Sequence, residues 1–115
     1  MHRGVIFVVD DELDEREGLK ELLEPEYVVL PARNGTEALA RMRGITAPAV
    51  AIIDLVLPGM NGWELIAAMK RDPTLSRIPI IVVSGNSREP VAGADRQFEK
   101  PYALESLVVA VKQLC

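Results

Sequence analysis

Three runs of consecutive apolar residues, mostly β-branched, punctuate 115 residues: Val5-Ile6-Phe7-Val8-Val9, Ala49-Val50-Ala51-Ile52-Ile53 and Ile80-Ile81-Val82-Val83. Runs this short, with no polar alternation, are strands buried on both faces, the pattern of a parallel sheet covered by helices on each side. Each stops on polar residues: the first on Asp10-Asp11-Glu12, the second on Asp54, the third on Ser84-Gly85. Taken singly, these ends have plain structural readings. Asp54 can open a turn or cap a helix, and Asp10 and Asp11 can be first-turn charges.

The intervening segments carry helical spacing. Over residues 12–24, Leu19, Leu22 and Leu23 fall at i, i+3 and i+4, with Leu13 one face-repeat earlier, and Pro25 ends the helix. Tyr27-Val28-Val29-Leu30 reads as a short strand nearer a sheet edge. Asn34-Gly35 marks a turn, Thr36 is a cap, and a helix over 37–43 turns Ala38, Leu39 and Met42 inward, with Gly44 as its stop. After the turn signals Pro58-Gly59 and Asn61-Gly62, a helix over 63–71 faces the sheet with Leu65, Ile66 and Met69. Trp63 reads as a partly buried packing residue. From 86 to 97 the pattern weakens, and Pro90 and Gly93 leave room for at most a short helix. Phe98 falls in a brief fifth strand. Leu104, Leu107, Val108, Val111 and Leu114 repeat at helical spacing in a closing helix over 102–114.

Strand–helix–strand connections are right-handed and make the strands parallel, so all strand ends lie at one rim. Asp10, Asp11, Asp54, Ser84 and Lys100 are therefore neighbours, at the edge where open α/β sheets bind ligands. Three carboxylates together call for a cation, and hard oxygen donors without His or Cys suit Mg²⁺. A carboxylate can attack phosphorus to give an aspartyl phosphate. Such a nucleophile carries no proton, so no general base is needed. Lys100 supplies a point charge and Ser84 a hydrogen bond to the transferred group.

Composition narrows the alternatives. The length suits one domain over 1–115. A net charge of −4 without a basic cluster argues against direct nucleic-acid binding. No apolar run approaches the roughly 20 residues of a membrane span, and Val5–Val9 is too short for a signal sequence. The one cysteine, Cys115, allows no internal disulfide, which fits the cytoplasm. The one histidine, His2, lies at a terminus and reads as inert.

The motifs Val8-Val9-Asp10-Asp11-Glu12, Asn34-Gly35-Thr36-Glu37-Ala38-Leu39, Asp54-Leu55-Val56-Leu57-Pro58-Gly59-Met60-Asn61-Gly62, Val83-Ser84 and Lys100-Pro101 span essentially the whole chain. Together they resemble the receiver domain of bacterial two-component response regulators. The resemblance implies a flavodoxin-like (βα)5 doubly wound parallel sheet of strand order 2-1-3-4-5. It implies that Asp54 accepts a phosphoryl group from a phosphohistidine on a sensor histidine kinase or phosphotransfer protein. Mg²⁺ would be held by Asp11 and Asp54 directly, by Asp10 through water, and by the Val56 backbone carbonyl. Ser84 and Lys100 would contact the phosphoryl oxygens, and the Lys100-Pro101 bond would be cis. The readout would be a downstream protein partner or an output domain. The chain fits a stand-alone receiver and equally a piece of a longer regulator or hybrid kinase. The apolar face of the closing helix leaves a homodimer open, although sheet packing explains it equally well.

Two departures stand out. Lys100 follows Ser84 by 100 − 84 = 16 positions, shorter than the family's interval by about one and a half helical turns. The missing piece falls on the family's helix between strands four and five, which is short or missing here. Three positions before the lysine the family has Tyr or Phe as a rotating switch; here it is Gln97. The expectation is a domain that is phosphorylated but signals through another face. Val56 and Asn86 flank the phosphoryl site, and an apolar residue at 56 cannot orient an attacking water, so fast hydrolysis is not expected.

Three rivals remain. A pseudo-receiver would bind partners without being phosphorylated. A phosphatase of the haloacid dehalogenase type needs an acid two positions after its nucleophile, where Val56 stands. A flavin carrier of the same fold needs a first loop that cradles phosphate, which Asp10-Asp11-Glu12 would repel.

Overall fold

The computed structural model describes residues 4–44, 48–85 and 89–115. Strands β1 (Val5–Val9), β2 (Val28–Ala32), β3 (Val50–Asp54), β4 (Ile80–Ser84) and β5 (Arg96–Glu99) form one sheet in the order β2-β1-β3-β4-β5. Every pair is parallel. Helices α1 (Leu13–Leu23), α2 (Gly35–Arg43), α3 (Gly62–Arg71) and α4 (Leu104–Leu114) complete the flavodoxin-like arrangement. Among the described residues, no helix separates β4 from β5.

The unbroken apolar runs are explained by two cores. Alternate strand residues point to opposite faces. Phe7, Val9, Ala51, Ile53, Ile80 and Val82 pack with Ala38 and Met42 of α2 and Leu65, Ile66 and Met69 of α3. Ile6, Val8, Val50, Ile52, Ile81 and Val83 pack with Leu19 and Leu23 of α1 and Leu107, Ala110 and Val111 of α4. With helices on both faces, no strand residue in β1, β3 or β4 beyond Val5 has a wet side.

Some local expectations shift. The second strand runs over Val28–Ala32 rather than 27–30, and it contains Pro31, which an edge strand tolerates because its outer N–H has no ladder partner. Tyr27 is buried before the strand begins. Leu13 and Leu22 do not face the core, being 59% and 40% exposed. At 100° per residue, Leu22 diverges from the Leu19–Leu23 line, and Leu13 starts the helix at the rim. Leu104 is exposed for the same reason at the start of α4, and Trp63 is 48% exposed on the flank of α3. Asn34, not Thr36, caps α2, accepting a hydrogen bond from Glu37 N at 2.8 Å. His2 and Asn86 lie outside the described residues.

The β3–α3 connection is drawn down onto the rim. Asn61 and Glu64 form a reciprocal capping box at the start of α3, with hydrogen bonds of 2.9 and 3.2 Å. Gly62 N donates to Leu55 O at 2.9 Å. A β-carbon at Gly62 would lie 2.6 Å from the Asp54 carbonyl oxygen and from Leu55 Cα, so only glycine lets the loop close this tightly behind Asp54.

Candidate functional site

The strand order places β1 beside β3, so the residue after β1, Asp10, meets the last residue of β3, Asp54. Both are buried, at 2% and 6% exposed. Lys100 follows β5, on the far side of β4. Its backbone N–H donates to Ser84 O at 2.7 Å and its peptide to Pro101 is cis, as expected. From there Lys100 Nζ crosses back over β4. It donates to Asp54 Oδ2 at 2.9 Å and to Glu15 Oε2 at 2.6 Å, and lies 3.6 Å from Asp10 Oδ2.

Backbone amides fix the other carboxylate oxygens. Val56 N donates to Asp54 Oδ1 at 3.0 Å, and Glu12 N donates to Asp10 Oδ1 at 2.9 Å. The Arg16 guanidinium donates to the Asp10 carbonyl at 2.7 Å. Ser84, the last residue of β4, is buried next to the Val83 that pairs with Asp54. A cavity of about 300 Å³ opens over Asp54, lined by Asp11, Glu15, Val56, Gly85 and Lys100 among others.

Sequence reasoning gathered Asp10, Asp11, Asp54, Ser84 and Lys100 at one rim. Asp10, Asp54 and Lys100 are in contact range there. Asp11 is exposed and lines the cavity rather than joining the tight carboxylate cluster. The third member of that cluster is Glu15, which sequence reasoning did not single out. Carboxylate oxygens of Asp10, Glu15 and Asp54 all lie within 4.8 Å of one another. The available signal was its position: Glu15 is the third residue of α1, one turn beyond the acids at the strand end.

The electrostatics follow from this crowding. Burial, and then the hydrogen bond with Glu15, push the Asp10 carboxyl up to about 7. The same hydrogen bond holds Glu15 below the usual carboxylate range. Burial disfavours the Lys100 charge, but the hydrogen bonds to Asp54 and Glu15 outweigh it and hold the ammonium above its ordinary value. With all three carboxyls ionised, one ammonium leaves two negative charges uncompensated. An all-oxygen cluster with that deficit fits a hard divalent cation.

A model of the response regulator receiver domain matches residues 6–112. Protein PilH of Pseudomonas aeruginosa is 35% identical over 92% of this chain and 93% of its own length. The hybrid signal transduction histidine kinase D of Dictyostelium discoideum is 28% identical over 98% of this chain, which spans 8% of that protein's length. The signal receiver domain of a histidine kinase from Syntrophus aciditrophicus superposes with a TM-score of 0.85 at 34% identity, over 96% of this chain and 89% of that one. Among the described residues, no helix is long and apolar enough to cross a membrane. The sheet order, the buried acid pair at the β1–β3 junction and the lysine reaching across β4 thus agree with sequence similarity along nearly the full chain: it belongs to the response regulator receiver domain family.

Proposed function

We propose that this chain is a phosphoacceptor receiver that takes a phosphoryl group onto Asp54 from a phosphohistidine of a sensor kinase or phosphotransfer protein. The single observation that carries this reading is the Asp54 carboxylate. It is buried at a strand end, oriented by Val56 N on one oxygen and Lys100 Nζ on the other, and faces an open cavity. In the transfer, one Asp54 oxygen forms the new bond to phosphorus. The bond from phosphorus to the donor imidazole breaks, and its electron pair leaves with the nitrogen. Lys100 neutralises charge on the phosphoryl oxygens, and the Ser84 hydroxyl donates to one of them.

Mg²⁺ would be held by Asp11, Asp54 and the Val56 carbonyl, with Asp10 through water, and would supply the positive charge that the acid cluster lacks. Asp10 and Asp54 keep their places for it through backbone hydrogen bonds that use one carboxylate oxygen each. The domain catalyses only its own phosphorylation and dephosphorylation, acts in the cytoplasm, and passes the signal to a protein partner or output domain.

Incubation with Mg²⁺ and acetyl phosphate, followed by intact mass spectrometry, tests this reading. A gain of one phosphoryl group in the wild type and none in Asp54→Asn is expected. No gain in either protein leaves the pseudo-receiver as the account of this chain.

A further inference from the structure

Lys100 has three N–H donors, and three carboxylates compete for them. The shortest of its contacts is not to the phosphoacceptor but to Glu15, at 2.6 Å against 2.9 Å for Asp54. Glu15 comes from a different element, α1, and its side chain is 35% exposed, so it can swing outward where the buried Asp10 and Asp54 cannot.

Phosphorylation changes what surrounds the ammonium. As an acyl phosphate, Asp54 loses its own carboxylate charge, while the phosphoryl group brings new anionic oxygens into the cavity that Glu15 and Lys100 both line. Glu15 then opposes the product in two ways. It occupies a donor of Lys100 that the phosphoryl oxygens need, and it is a like charge beside them.

We propose that Glu15 is a positioning residue that holds Lys100 in the unphosphorylated state and competes with the phosphoryl group for it. In this way it sets the donor level at which Asp54 becomes occupied. The inference rests on the phosphoacceptor reading above. The step itself is unchanged: with an acyl phosphate donor, the Asp54 oxygen–phosphorus bond forms, the bond from phosphorus to the acyl oxygen breaks, and the carboxylate leaves with the electron pair. Glu15 takes no part in bond making. It must release Lys100 before the product is fully stabilised.

Three forms, wild type, Glu15→Gln and Glu15→Asp, separate charge from fold. Two readouts are used at a Mg²⁺ concentration that saturates the wild type and again at a higher one. One is phosphoryl occupancy against acetyl phosphate concentration, by intact mass. The other is the equilibrium affinity for beryllofluoride, a phosphoryl mimic that requires no transfer step. Glu15→Gln should lower the half-saturating acetyl phosphate concentration and the beryllofluoride dissociation constant by about tenfold, the effect of one like charge at contact range in a partly solvated site. Glu15→Asp keeps the charge but shortens the reach, and should fall between the two. Unchanged or weaker occupancy and affinity in Glu15→Gln overturn the proposal. So does a loss in that variant that extra Mg²⁺ restores, since Glu15 would then serve the cation. A wild type that takes up neither phosphoryl nor beryllofluoride overturns the phosphoacceptor reading itself, and the inference with it.

Discussion

Replacing Asp10 with asparagine should move stability and chemistry in opposite directions. The Asp10 carboxyl is raised to about 7, first by burial and then by its hydrogen bond with Glu15. Between the ordinary aspartate value and about 7, the folded state binds more protons than the unfolded chain. That stability is therefore fully present at low pH and is lost as pH rises through this window. The window is about three pH units at ~1.4 kcal/mol each, or ~4 kcal/mol at most. Glu15, held down by the same hydrogen bond, returns part of this, and asparagine forfeits the 3.6 Å attraction to Lys100. A net gain of ~2 kcal/mol at pH 8 remains, or ~10 °C in Tm for a domain of this size. The asparagine Oδ1 can still accept the Glu12 N–H that Asp10 accepts at 2.9 Å. Thermal melts followed by circular dichroism in EDTA at pH 4, 6 and 8 should show the gain growing with pH and vanishing near pH 4. Added Mg²⁺ should raise the wild-type Tm and leave the variant's nearly unchanged, and acetyl phosphate should no longer label the variant. A variant no more stable than wild type at pH 8, or a gain of equal size at all three pH values, would refute the reasoning.

Other perturbations test the supports of the site and the route of its signal. Gly62→Ala forces a β-carbon into the Asp54 carbonyl and Leu55; a loss of ~2–4 kcal/mol is expected in urea titrations, together with slower labelling of Asp54. Gln97→Ala removes two hydrogen bonds, from Val91 N at 3.0 Å and to Glu89 O at 2.9 Å. It should cost ~1–2 kcal/mol and speed hydrogen exchange at the Val91 amide. Backbone amide shifts with and without beryllofluoride should change well beyond residues 86–114; large changes confined to that range would show that the signal leaves by the face the family ordinarily uses.

The architecture was legible because three strands are buried on both faces. A strand that must satisfy two cores can contain nothing but apolar residues, and Val5–Val9 or Ile80–Val83 leave little room for another reading. Where only one contact face exists, the signal thinned. Leu13 and Leu104 are apolar yet exposed because helix starts at the rim project past the sheet, and Leu22 because it lies off the Leu19–Leu23 line, while composition alone marks all three as core. β5 was recognisable only through Phe98, since its residues Arg96 to Glu99 are half-buried or exposed and carry no apolar run. The caps at Asn34 and Asn61 were read as turns; each is a turn and also the oxygen that the first helical N–H groups need.

The site was legible to the extent that topology alone brings residues together. Asp10, Asp54, Ser84 and Lys100 end strands or follow them directly, so knowing the sheet order is enough to gather them. Glu15 is different. Its place depends on the angle at which α1 leaves the rim and on Lys100 crossing β4 to meet it, neither of which has a sequence period. The same limit applies to Gln97. In sequence it reads only as a missing aromatic switch. In the fold its amide accepts from one backbone group and donates to another in the β4–β5 connection, doing there what a backbone peptide group would do. An aromatic ring at this position has no such pair of contacts to break and can rotate between environments. An amide that ties down Glu89 and Val91 makes rotation cost two hydrogen bonds. The glutamine therefore stands as a fixed element where a rotating ring would be mobile, and under the phosphoacceptor function proposed above a signal from Asp54 would reach a partner by a path that leaves Gln97 in place.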